Sequence, residues 1–219
     1  MAERNVVVSL CDITGQFVEP WVEAGYEAVL VDPQHGMTHQ DGPVLKVAAT
    51  VHEALPLLRD LAESGRIAFV ATWPPCTQMA TSGAAHWERK WLEDSYFQAK
   101  AAAVAEQCRT FGELTGAPYF VENPRSMLSQ VFGAPDHTFN PWEFTHYEPA
   151  DNYTKLTCLW TGGGFQMPPR HMAPDLGEPR EFVMSARGSH AERGNVRSVT
   201  PRGFSRAVFA ANALVTSTP

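Results

Sequence analysis

Four short runs of consecutive apolar residues stand out along the chain, at 6–10, 28–31, 67–72 and 119–121. Unbroken rather than alternating hydrophobicity suits strands buried on both faces, as in a parallel sheet covered by helices. Helical patterns fall between them. One closes at Ala24-Gly25-Tyr26, a second is predicted over 51–61 despite Pro56, and the clearest runs over 93–114. That last helix has Tyr96, Ala99, Ala103 and Cys108 among its apolar or small positions, with Leu92 just ahead and Gly116 beyond its end. Strand and helix alternate, which predicts an α/β chain built on a single doubly wound, mostly parallel sheet. Further on, a short helix is expected over 126–132, then an irregular aromatic and proline-rich stretch to Tyr153, and a strand over 157–160. Residues 167–180 read as loop, and a final helix runs through Asn212, with Thr200 as its N-cap and Pro201 as its first helical residue.

With 219 residues, 44% of them hydrophobic, the chain can bury one sizeable core, so one domain over 1–219 is expected. No apolar stretch approaches the roughly 18 residues a bilayer span requires. Met1-Ala2-Glu3-Arg4-Asn5 lacks a signal-peptide pattern, and a cytoplasmic protein without membrane contact is expected. Cys11, Cys76, Cys108 and Cys158 are too scattered for a disulfide framework or a structural zinc. His35, His39 and Asp41 have a spacing that suits no common metal site. The formal charge of −7 argues against tight nonspecific binding to duplex phosphates. Seven arginines between Arg170 and Arg206 leave two readings open, a local phosphate-facing patch or a solvated basic tail.

The chemistry-bearing residues sit at the ends of the apolar runs. Trp73-Pro74-Pro75-Cys76 follows the third run, so a thiol is delivered onto a loop whose backbone two prolines stiffen. The small residues after it leave room for a flat substrate. Glu122-Asn123-Pro124 ends the fourth run and brings a carboxylic acid to another strand end, where nucleophile and proton donor converge. Cys11-Asp12-Ile13-Thr14-Gly15 forms a turn between the first strand and its helix, and Asp32 closes the next strand. Strand, tight turn, helix, strand and acid make a nucleoside-binding layout.

Taken together, these motifs resemble the cytosine carbon-5 methyltransferase family, whose catalytic loop carries Pro-Pro-Cys and whose later strand ends in Glu-Asn. The chain is more similar still to short, often phage-borne, methyltransferase-like proteins with Cys-Asp-x-[ST]-Gly, Pro-Pro-Cys-Thr, Glu-Asn-Pro and Thr-Pro-x-Gly-Phe, all present here in that order. The resemblance implies a Rossmann-like, S-adenosylmethionine-dependent methyltransferase fold. It implies that Cys76 adds to carbon 6 of cytosine while Glu122 hydrogen-bonds or protonates ring nitrogen 3. The cofactor would lie against Asp12, Thr14, Gly15, Asp32 and Pro74, and the substrate against Asn123, His86, Lys155, Arg193 and Arg197. Six of these residues have a structural alternative: Cys76 as a small hydrophobe at a strand end, Glu122 as an N-cap or surface acid, Asp12 as a cap of the following helix, His86 as a loop side chain on the core, Lys155 with Thr157 at a sheet edge, and Asn123 as a shaper of its loop.

The departures from the family are informative. Of Phe-x-Gly-x-Gly-Gly only Gly15 remains, and Asp12 adds an acid, which admits a modified form of S-adenosylmethionine. The Gln-x-Arg-x-Arg motif is missing, although Arg187, Arg193 and Arg197 occupy a comparable stretch. Fewer than eighty residues separate Glu122 from the last helix, too few for a separate target-recognition region. The expected activity is transfer of a methyl or related one-carbon-derived group to carbon 5 of cytosine in DNA. The same chemistry on free cytosine nucleotides, and a non-catalytic nucleotide- or nucleic-acid-binding protein of the same fold, are the alternatives. Nothing in the sequence points to protein partners.

Overall fold

The computed structural model describes residues 3–181 and 199–213. Its framework is an eight-stranded sheet in the order β3-β4-β2-β1-β5-β6-β9-β7. The central parallel strands are β4 (Val44–Val47), β2 (Glu27–Val31), β1 (Val6–Leu10), β5 (Ile67–Thr72) and β6 (Tyr119–Pro124). Antiparallel strands complete both margins: β3 (His39–Asp41) beside β4, and β9 (Thr157–Gly162) beside β6, with β7 (His137–Phe139) outermost. The protein is thus α/β with a mostly parallel sheet, compatible with a Rossmann-like fold. A separate pair of two-residue strands, β8 (Tyr153–Thr154) and β10 (Arg180–Glu181), lies apart from it.

Helices cover both faces. On one, α1 (Glu19–Glu23) and α6 (Arg202–Asn212) bury Phe17, Trp21, Phe204 and Val208 against Val7, Leu30, Phe69 and Phe120 of the sheet. On the other, α2 (Leu55–Ser64) and α4 (Phe97–Thr115) set Leu58, Cys108 and Phe111 against Val6, Val8, Val29 and Val70. Between these lie α3 (Trp87–Glu93) and α5 (Leu128–Phe132) in chain order. Adjacent residues of β1 thus pack into opposite layers, which is why its sequence is continuously apolar.

Four expectations are corrected. The helix expected over 93–114 begins instead at Phe97, and Glu93 closes the preceding helix, because Asp94 turns to extended backbone and its Oδ1 accepts from the Tyr96 N–H at 3.0 Å, an alternative to the helical ladder. The helix expected over 51–61 begins instead at Leu55, which puts Pro56 in the first turn, where its missing N–H is harmless. Thr200 does not cap α6. Pro201 is the N-cap, and the free N–H of Gly203 donates to Oδ2 of buried Asp151 at 2.7 Å. A side chain at Gly203 would meet the Phe144 carbonyl oxygen at 2.6 Å. Finally, β3, β4 and β7 arise in stretches read as loop or irregular.

Phe204 illustrates how the late helix is fastened. It is fully buried and stacks on Phe139 with ring centroids 3.9 Å apart. Phe204→Ala is expected to lower stability by about 3–5 kcal/mol, read as a lower urea midpoint with an unchanged slope. A loss confined to a few tenths would show that α6 is not integral to the core.

Candidate functional site

Parallel strands bring their carboxyl ends to one edge of the sheet, and ligands of open α/β sheets bind outside that edge where the strand order reverses. Here the reversal lies between β1 and β5. The turn 11–15, Asp32, the Pro-Pro-Cys loop and Glu122 all follow from those strand ends. The antiparallel β9 starts at this same edge, since Thr157 pairs with Pro124, so Lys155 arrives there too.

The turn after β1 is organised by its own acid. Asp12 is buried; its Oδ1 accepts from the N–H groups of Thr14 and Gly15, at 2.9 and 2.8 Å, and from the Thr14 hydroxyl at 3.0 Å. Its Oδ2 accepts from the Ser9 hydroxyl at 2.8 Å. Gly15 has φ +68°, and a Cβ there would lie 2.9 Å from Leu30 Cδ1, so glycine lets the turn close on β2. Asp32, buried at the end of β2, directs Oδ1 to the Gln34 N–H at 2.8 Å. In a glycine-rich phosphate loop such backbone N–H groups face the anion. Here an internal carboxylate takes two of them, and a second carboxylate stands beside it. The turn is therefore a poor cradle for an anion, and its two carboxylates favour positive charge.

The thiol loop is sewn to the neighbouring strand end. Asn123 is fully buried and donates from Nδ2 to the Pro74 carbonyl at 3.0 Å. Beyond it, the Thr81 N–H reaches the Arg125 carbonyl at 3.0 Å and the Met127 N–H the Met79 carbonyl at 2.9 Å. Past Cys76, the N–H groups of Met79 and Ala80 donate back to the Cys76 carbonyl, at 2.9 and 2.8 Å. The half-buried Cys76 is thus held in a tight turn next to the end of β6.

Glu122 is half-buried as a residue, yet its carboxyl faces inward. Burial pushes its pKa above the ordinary glutamate range, partly offset by the positive charge of Lys155. The protonated form therefore persists to higher pH, as a hydrogen-bond donor to a ring nitrogen requires. Lys155 is fixed through its N–H to Asn140 Oδ1 at 3.0 Å, and its Nζ reaches the Val199 carbonyl at 3.4 Å. Cys158, opposite Asn123 in β9, is held protonated by burial and by the Glu122 charge, so this second nearby thiol is a poor nucleophile.

The structure thus gathers Cys76, Glu122, Asn123, Pro74, Asp12, Thr14, Gly15, Asp32 and Lys155 along one edge. His86 is exposed at the end of the 3-10 turn Thr81–His86, just ahead of α3. Arg187, Arg193 and Arg197 lie outside the described residues. The other four late arginines are engaged with the protein itself: Arg170 with Glu143 at 3.2 Å, Arg202 with Glu19 at 3.2 Å, Arg206 with Glu148 at 3.1 Å, and Arg180 with the Ala150 carbonyl at 3.5 Å. Among the described residues, no three histidine, cysteine or acidic side chains converge as metal ligands would.

Sequence reasoning missed three members of the edge. Ser9 is buried inside an apolar run; Trp73 donates to it from Nε1 at 3.0 Å; His35 follows Asp32 with its Nε2 buried and unpartnered. The one signal for Ser9 was a hydroxyl interrupting a continuous apolar strand. The chain matches no protein-family model and no curated protein.

Because burial raises Glu122 in the folded chain, the native state holds more protons than the unfolded one between the ordinary glutamate range and the raised midpoint. Stability therefore declines as pH rises through that window. Glu122→Gln is expected to flatten this decline in the denaturation midpoint. Lys155→Met, by removing the offsetting charge, is expected to push the Glu122 midpoint higher in an NMR titration; an unchanged midpoint would place Lys155 out of reach.

Proposed function

We propose that the protein transfers a methyl or related one-carbon-derived group from S-adenosylmethionine, or a modified form of it, to carbon 5 of cytosine in DNA. The observation that carries this reading is the joining of the Cys76 loop to the Glu122 strand end through the Asn123–Pro74 hydrogen bond, beside an acidic, phosphate-excluding nucleoside turn. The resemblance of the four motifs to short methyltransferase-like proteins points the same way.

S-adenosylmethionine fits the donor set. Its sulfonium and ammonium charges complement Asp12 and Asp32, and it brings no phosphate to compete for the N–H groups that Asp12 already holds. Asp32, at the end of β2, receives the ribose hydroxyls. When bound, the cofactor supplies an electrophilic one-carbon group.

Cytosine carbon 5 is a weak nucleophile. Attack of the Cys76 sulfur on carbon 6 breaks the 5,6 double bond and moves its electron pair toward carbon 5, conjugated with the ring. Glu122, protonated, donates to nitrogen 3 and stabilises the charge that attack builds in the ring. Once carbon 5 is substituted, loss of its proton restores the double bond and expels the Cys76 thiolate. A base inside a duplex is closed to a protein thiol, so a DNA substrate has to present the cytosine unstacked.

Free cytosine nucleotides are the second reading, favoured by the net charge of −7, which disfavours extended contact with a phosphate backbone. Label transfer from S-adenosylmethionine to duplex DNA, single-stranded DNA and cytidine nucleotides separates the two. Transfer to one substrate is expected, abolished by Cys76→Ala, with Glu122→Gln slowed by at least about 100-fold in kcat. A 5-fluorocytosine substrate should leave an adduct at Cys76. No transfer and no adduct with any substrate would favour a binding protein of the same fold.

A further inference from the structure

The turn beneath the nucleoside and the loop bearing the thiol are joined through one hydroxyl. Ser9 lies in the middle of the sheet, next to last in β1, and is fully buried. Its hydroxyl donates to Asp12 Oδ2 at 2.8 Å and accepts from the Trp73 indole Nε1 at 3.0 Å. Asp12 holds the other oxygen against the Thr14 and Gly15 N–H groups, so Ser9 is bonded to the acid around which the whole turn is wound. Trp73 stands at the opposite end of the bridge. Its N–H donates to the Leu10 carbonyl at 2.9 Å, its ring meets Phe17 and Phe120 edge-on, and Pro74-Pro75-Cys76 follows directly.

We propose that Ser9 is a positioning residue for Cys76: it transmits the placement of the Asp12 carboxylate to the Trp73 indole, and through the two prolines to the thiol. The two prolines make the transmission effective, since each fixes its own φ and leaves little slack between Trp73 and Cys76. Asn123 grips the Pro74 carbonyl from the β6 side, so the segment is held from both flanks and small rotations of the indole reach the cysteine. The bridge is all side chain, buried at Ser9 and Asp12 and half-buried at Trp73. Removing the hydroxyl leaves the indole N–H without its acceptor and the buried carboxylate without one donor.

This inference rests on the proposed function for its ligand but not for its test. The measurement is the rate at which iodoacetamide alkylates Cys76, followed by mass spectrometry of the Cys76 peptide in the full chain, with S-adenosylhomocysteine affinity measured by calorimetry alongside. Ser9→Ala is expected to change the alkylation rate by about fivefold, the size of one net hydrogen bond, and to weaken S-adenosylhomocysteine by a similar factor. Trp73→Phe keeps an aromatic ring but deletes the donor. It should shift alkylation in the same direction while leaving affinity within about twofold, because the Ser9–Asp12 bond survives.

The double variant decides the matter. If Ser9 acts through Trp73, Ser9→Ala with Trp73→Phe alkylates no differently from Ser9→Ala alone. Effects that multiply independently would mean two separate structural disturbances and overturn the proposal. So would a Ser9→Ala protein with the wild-type alkylation rate. Should wild type fail to bind S-adenosylhomocysteine, the cofactor reading fails, while the alkylation cycle still confirms or overturns the bridge.

Discussion

The hydrogen bond from Asn123 Nδ2 to the Pro74 carbonyl is the constraint on which the site depends. Strands β5 and β6 lie side by side in any such sheet, but their ladder ends at Thr72 and Val121, and beyond that point the two chains are free to part. Asn123 prevents this with a side chain that is itself inside the protein, where water cannot replace it. Among the described residues the buried amide oxygen of Asn123 has no hydrogen-bond partner, and leaving such a group unpaired costs about 1–3 kcal/mol. A fold that keeps so costly a group at a strand end does so for the geometry the other half of the amide enforces.

The electrostatics of the edge follow a similar economy. Asp12 sits in the turn where dinucleotide-binding proteins keep glycines and a phosphate, and it takes N–H groups that a phosphate would need. Two strands away along the same edge, burial raises the pKa of the Glu122 carboxyl and the charge of Lys155 partly offsets it. The edge thus has two carboxylates at one end and, at the other, a carboxyl that takes up its proton more readily than an exposed glutamate. The loop that carries Cys76 follows β5, the strand between them.

Much of the sheet was legible in the sequence because strands buried on both faces write themselves as largely apolar runs. The ends of those runs placed Cys76, Glu122 and Asp32 on one edge, while the roles proposed for them came from the resemblance of the motifs. What escaped was of another kind. Strand β4 carries Lys46, and only Val47 of its four residues is buried, so Val44–Val47 lacked the density of the inner strands. The break at Asp94 depends on a local competition between side chain and backbone that periodicity does not register. Capping of α6 by Asp151 spans fifty-two residues, a partner no local motif reveals. Ser9 and Trp73 looked like an exception within a strand and a bulky residue ahead of prolines; only the fold shows them bonded.

The reversal of β9 against β6 has a further consequence for how such a protein can diversify. Because β9 enters the sheet from the carboxyl edge of the parallel strands, the segment between β7 and β9, residues 140–156, leaves and rejoins the sheet at that edge, anchored at both ends by paired strands and along its length by Phe144 and Asp151 against the last helix. Chain inserted at its exposed positions would lengthen this one connection while the register of every strand stayed as it is.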